Sequence, residues 1–127
     1  MPDGVFVTAI TCMDGRVQEP VSAWMKKQYA AHYVDTITEP GPDGLLPDGP
    51  IETVVSIRKR TEISVKAHGS GVVAVVSHHD CAGNPVSKDE HLEQLSRSIE
   101  MVRSWGLPVR IVGLWVNEAW QVEQVFP

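Results

Sequence analysis

Val72-Val73-Ala74-Val75-Val76-Ser77 (VVAVVS) runs without a break into His78-His79-Asp80-Cys81 (HHDC). An unbroken β-branched, apolar stretch is the pattern of a strand, and it ends where metal-ligating side chains begin. The flanking segments take their places around it. Upstream, Ile51 to Ala67 puts Ile51, Val54, Val55 and Arg58 on one helical face, with Gly69 as C-terminal cap. Downstream, Ser87 and Glu90 form a capping box for a helix carrying Leu92, Leu95, Ile99 and Val102, which stops around Gly106-Leu107-Pro108. Val109 to Val116 (VRIVGLWV) reads as a further strand, and Trp120 to Val125 as a short last one returning antiparallel after a turn at Asn117 and Glu118.

The N-terminal third repeats the strand-then-helix order. Val5 to Thr11 (VFVTAIT) is expected as a strand buried on both faces, with Cys12 at its end. Val21, Trp24, Met25 and Tyr29 recur at helical spacing between Pro20 and Ala31, and Pro20 suits a first turn. Tyr33 to Thr38 (YVDTIT) reads as a strand. The following EPGPDGLLPDGP is expected to lack regular structure because of its Pro and Gly content, and the Glu39 to Asp48 loop is long enough to suspect function. Strands alternating with helices predict an α/β fold, a mostly parallel β-sheet flanked by helices, in one domain spanning residues 1–127. Such sheets bind ligands beyond the carboxyl ends of their strands, where both Cys12 and His78 are expected.

Composition narrows the function classes. Of 127 residues, 43% are hydrophobic and 21% charged, which suits a folded domain rather than a disordered or fibrous chain. The net charge of -5 and the absence of a long basic run argue against nucleic acid as a partner, the cluster Arg58-Lys59-Arg60 lying inside a helical stretch. The longest apolar run, Gly71 to Ser77, is far short of the ~20 residues that cross a bilayer. With no secretion signal in view, the expected location is the cytoplasm, where two cysteines point to metal binding or catalysis more than to a disulfide.

Cys12, Asp14 and Arg16 stand in a CxDxR pattern, and His78 and Cys81 in an HxxC pattern, each just after a strand. Two thiolates and one imidazole at one sheet edge can share a zinc ion, which takes sulfur at ~2.3 Å and nitrogen at ~2.0 Å and prefers tetrahedral coordination. Three protein ligands leave the fourth position open, the arrangement that yields hydroxide from water near neutral pH. Asp14 and Arg16, two apart in an extended turn, can form a charge-assisted pair. Asp14 then either accepts a hydrogen bond from the metal-held hydroxide or itself occupies the fourth position, and a merely structural salt bridge is the alternative. Buried small hydrophobes, or a thiol redox pair without metal, are the competing readings of Cys12 and Cys81.

His79 is read as a packed or solvated neighbour of the ligand, Asp80 as a turn cap, and Gly83 and Asn84 as turn residues. Trp24, Trp105, Trp115 and Trp120 are assigned to core or interface, and His32, His68 and His91 to the surface.

CxDxR followed by HxxC, each after a strand, resembles the β-class carbonic anhydrases, and the helix IETVVSIRKRTEISV, the VVAVVSHHDC stretch, the late strand and the short terminal strand extend the likeness. The resemblance implies that Cys12, His78 and Cys81 are ligands of Zn2+ and that Asp14 and Arg16 form the catalytic dyad. It implies a zinc lyase that hydrates CO2 to bicarbonate, working as a homodimer or higher homo-oligomer with active sites near the subunit interface. Relatives with this zinc site hydrolyse carbonyl sulfide or carbon disulfide, and a non-catalytic zinc-binding relative is the further alternative. Where the family has an Arg-Asn-Ala-Gly-Asn-like stretch after its second strand, this chain has Thr38-Glu39-Pro40-Gly41-Pro42-Asp43-Gly44, and Ala82 stands between Cys81 and Gly83.

Overall fold

The computed structural model describes residues 3–127. Along the chain come β1 (Phe6–Cys12), α1 (Gly15–Tyr29), β2 (Tyr33–Glu39), α2 (Pro42–Asp48), α3 (Ile51–His68), β3 (Val72–His78), α4 (Lys88–Arg103), β4 (Arg110–Val116) and β5 (Val122–Phe126). They form a sheet ordered β2-β1-β3-β4-β5, parallel except for the last strand. β1 and β3, the neighbours at its centre, are buried along nearly their whole length, as strands covered on both faces must be.

Alternation along these strands sends successive side chains to opposite faces. Ile10, Val73 and Val75 pack with Leu46 of α2, Ile57 and Val65 of α3, and Leu95, Ile99 and Val102 of α4. Val7, Ala9, Ala74 and Val76 pack on the other face with Val17, Val21 and Met25 of α1. Each Val, Leu, Ile or Met among them contributes about 1.5–3 kcal/mol on removal from water, so both layers are needed to hold the central strands.

Several expectations are corrected. Helix α1 begins at Gly15, five residues before Pro20, which lies inside it. Asp14 is the N-cap, its Oδ1 accepting the backbone N–H of Arg16 at 2.9 Å, so a capping carboxylate outranks proline as the start signal. The Asp14–Arg16 segment is therefore a helix start and not an extended turn. The stretch expected to be irregular contains α2: Pro42 sits at its first turn, and Asp43 and Leu46 are buried. Seven residues do not make a stable helix alone, and α2 holds because it packs against α4 and α3. The inward face of α3 is Ile57, Thr61, Ser64 and Val65, while Ile51 and Val55 are exposed. Strand β5 starts at Val122, and Trp120 belongs to the preceding turn. His91, assigned to the surface, is buried at 2% exposure because α4 turns it inward on the stripe of Leu95 and Ile99. His68 is half-buried, its Nδ1 2.6 Å from Asp35 Oδ2, whereas His32 is exposed.

The entry to α2 and the turn after Cys81 interlock through backbone. A Cβ on Gly83 would lie 2.6 Å from the carbonyl carbon of Pro40, and one on Gly41, at φ +64°, would lie 2.6 Å from Asn84 Cβ. Gly83→Ala is expected to lower unfolding free energy by about 1–3 kcal/mol, the usual cost of overpacking where backbone must yield. Denaturant unfolding of the variant measures it, and an unchanged midpoint would show that the two segments can separate freely.

Candidate metal centre

Cys12 is the last residue of β1 and His78 the last of β3, while Cys81 lies in the turn that follows β3. Because the two strands are adjacent and parallel, their ends bring the three residues together. All are buried, and one ligand atom from each lies within 4.8 Å of the other two. Each sequence-predicted metal residue is therefore in this cluster.

The geometry fits zinc. Cys12 Sγ and Cys81 Sγ are 3.9 Å apart, far too distant for a disulfide bond of ~2.05 Å and close to the ~3.8 Å edge of a tetrahedron with metal–sulfur bonds of ~2.3 Å. His78 Nδ1 is 2.7 Å from the backbone carbonyl of His79. A carbonyl only accepts, so Nδ1 carries the proton and Nε2 keeps the lone pair. That Nε2 is buried without a hydrogen-bond partner, as a ligand nitrogen should be. Burial lowers the His78 pKa and favours the neutral, ligating form. Burial, with the nearby Cys12 thiol second, pushes the Cys81 thiol up to about 12. A divalent cation offsets this penalty by compensating the thiolate charge, which is how metal affinity and ligand ionisation couple.

Asp14 and Arg16 meet as expected. Arg16 Nη2 donates to Asp14 Oδ2 at 2.7 Å and Nε to Oδ1 at 3.1 Å, a two-pronged contact. The hydrogen bond from the Arg16 side chain, against an opposing effect of burial, brings the Asp14 pKa down to about 2, so the carboxylate stays ionised and acts only as an acceptor. Arg16 is shifted upward by the same contact and remains charged. Gln18 Nε2 donates to the carbonyls of Cys12 and Asp14 at 2.8 and 2.9 Å, tying the strand end to the helix start. A cavity of about 400 Å³ is lined by Cys12, Met13, Asp14, Pro40, Ala82 and Gly83, so the Cys12 thiol of the cluster and the Asp14 carboxylate share one opening.

Two features escaped the sequence reading. Asp80 has the φ of 56° that its expected place in a turn requires, but its carboxylate and carbonyl also receive Arg16 Nη1 and Nη2 at 3.3 and 3.2 Å. Behind the cluster, buried Asp43 accepts Ser77 Oγ at 2.7 Å and Asn84 Nδ2 at 3.0 Å, and its Oδ2 lies 2.5 Å from His91 Nδ1. Burial alone would raise the Asp43 pKa, but the hydrogen bonds from His91, Ser77 and Asn84 together hold it below the ordinary carboxylate value. His91 lies four residues before Leu95 on one helical stripe, and that spacing was the available signal.

Sheet order, strand direction and the helices on both faces make this a mostly parallel α/β fold, and its matches among solved structures are β-carbonic anhydrases. The chain matches β-carbonic anhydrase isoform I of the protozoan Trichomonas vaginalis at a TM-score of 0.63 and 18% identity, covering 94% of this chain and 81% of that one. It matches a structure from work on two tetrameric β-carbonic anhydrases of the ascomycete Sordaria macrospora at 0.52 and 13%, covering 94% and 79%. The β-carbonic anhydrase CcaA matches at 0.55 and 13%, covering 95% and 77%. No curated protein matches the chain. A family model described as "Putative carbonic anhydrase" matches residues 2–126, and the chain belongs to that family as a divergent β-type member. Among the described residues, no helix is long and apolar enough to cross a membrane.

Proposed function

We propose that this protein is a zinc-dependent carbonic anhydrase that hydrates CO2 to bicarbonate in the cytoplasm as a homodimer or higher homo-oligomer. The observation that carries the reading is the buried Cys12–His78–Cys81 cluster opening, through Cys12, on a cavity that Asp14 also lines. Zinc held by these three side chains would supply hydroxide from water near neutral pH. Asp14, ionised and fixed as the N-cap of α1, would accept the hydrogen of that hydroxide and so orient it toward the substrate carbon, while Arg16 holds the carboxylate in place. Met13, Pro40, Ala82 and Gly83 present a largely apolar wall that suits an uncharged linear substrate. The proton released on hydration leaves for solvent or buffer, since Asp14 is too acidic to retain it.

Stopped-flow CO2 hydration by the zinc-loaded protein, with Cys81→Ala as control and carbonyl sulfide and carbon disulfide run alongside, tests the proposal. Turnover of either sulfur substrate without CO2 would move the assignment to a heteroallene hydrolase, and turnover of none would leave a non-catalytic zinc protein. Asp14→Asn keeps the shape and the helix cap but removes the charge, and is expected to lower kcat/KM by about 100-fold or more. A near-normal rate would reduce the Asp14–Arg16 pair to a structural salt bridge.

A further inference from the structure

We propose that Trp120 is a positioning residue for the Asp14–Arg16 pair, its indole face clamping the guanidinium from the β4–β5 turn. This rests on the reading of Asp14 as the acceptor at the metal centre. Arg16 sits on the first turn of α1 with its side chain 46% exposed, where a long side chain would ordinarily sample many rotamers. Its Cζ instead lies 4.3 Å from the centroid of the Trp120 ring, well inside the range of a cation–π contact. Asp14 and Asp80 hold the nitrogens of the same guanidinium, so its edge and its face are both occupied.

The turn is built to aim that ring. Trp120 has φ 59°, a left-handed conformation that glycine or asparagine ordinarily fills and that a bulky residue adopts only where its surroundings impose it. Those surroundings are visible: Trp120 N–H donates to the Asn117 carbonyl at 2.9 Å, and Asn117 Oδ1 accepts the N–H groups of Ala119 and Gln121 at 2.9 and 3.0 Å. The ring also lies edge-on to His79, with centroids 6.2 Å apart, and 6.4 Å from that of His78. One side chain thus touches the guanidinium and the ligand-bearing turn together. Apolar packing alone would require neither an aromatic face nor this backbone conformation.

Packing and clamping respond differently to substitution. Trp120→Leu keeps apolar bulk and loses the π-face, whereas Trp120→Phe keeps a π-face. The test is the rate at which phenylglyoxal, an arginine-selective dicarbonyl, modifies Arg16 in the zinc-loaded protein, read by peptide mass spectrometry. Arg58, exposed on α3, serves as internal standard. Loss of a cation–π contact corresponds to about 2- to 30-fold easier release of the guanidinium, so Trp120→Leu is expected to raise the Arg16 rate within that range while Trp120→Phe stays within about twofold. Zinc content should not change, and kcat for CO2 should fall in the leucine variant with KM unaltered. Trp120→Met gives the same comparison if the leucine variant does not fold. Equal Arg16 rates in wild type and the non-aromatic variant, or a phenylalanine variant as reactive as leucine, would overturn the clamp. A wild type without hydration activity that keeps the modification pattern would overturn the proposed function and leave the clamp standing.

Discussion

Cys81→Ala is expected to strip the purified protein of its metal, from about one zinc per chain to a small fraction of that. Cys81 and Cys12 form the sulfur edge of the cluster, and without it two ligands remain, one of them the neutral His78 imidazole. Removing an outer partner of a metal site already costs about 10- to 100-fold in affinity, so removing a direct ligand should cost more than that upper figure. Cys12→Ala and His78→Ala should behave alike, because each supplies one atom to the same cluster. Metal analysis after dialysis checks all three, and undiminished zinc in every variant would place the ion elsewhere. Stability should follow occupancy: at free zinc about 1,000 times the dissociation constant, binding adds about 4 kcal/mol to the folded state. Chelation of the wild type should therefore lower its melting midpoint clearly, and chelation of Cys81→Ala should scarcely move it.

The second large effect is expected at Asp43, which lies outside the metal cluster. Asp43→Ala removes the acceptor of buried Ser77 and the partner of buried His91, leaving both stranded where water is excluded, while half-buried Asn84 keeps its hydrogen bond to Gln94. Each stranded group costs about 1–3 kcal/mol, which sets the expected destabilisation at about 3–5 kcal/mol in denaturant unfolding with metal bound. The pH dependence has a definite sign. The folded-state pKa of Asp43 lies below its unfolded value, so its stabilisation is complete above the ordinary carboxylate value of ~3.9 and is lost as pH falls through the lower folded value. The difference between wild type and Asp43→Ala should accordingly be flat between about pH 5 and 8 and shrink only in stronger acid. A loss below about 1 kcal/mol, or one that vanishes near neutrality, would mean that Asp43 is not the keystone of this network.

What the sequence disclosed was what local chemistry determines. The β-branched runs VFVTAIT and VVAVVS read as buried strands, and the CxDxR and HxxC patterns at their ends are then expected at one sheet edge, beyond the carboxyl ends of the strands. What stayed hidden depended on distant partners. Pro42-Asp43-Gly44-Leu45-Leu46-Pro47-Asp48 carries two prolines and a glycine, and its helix exists because Leu46 and Asp43 find buried places beside α4. Trp120 looked like a residue of the last strand, and only the Asn117 turn reveals that it faces Arg16. On α3 the apolar Ile51 and Val55 suggested an inner face, yet Thr61 and Ser64 lie inside because hydroxyls can be satisfied there. Thr61 Oγ1 donates to the Ile57 carbonyl, and Ser64 Oγ donates to Asp35.

The close approach of Pro40 and Gly41 to Gly83 and Asn84 bears on how this protein can change. One wall of the cavity is main chain pressed against main chain, so no exchange of side chains can move it inward without prising two segments apart. Met13, 64% exposed at the rim, is free of that restriction. Laboratory evolution toward larger or smaller substrates should therefore accumulate its tolerated changes at position 13, while position 83 stays monomorphic under the same selection.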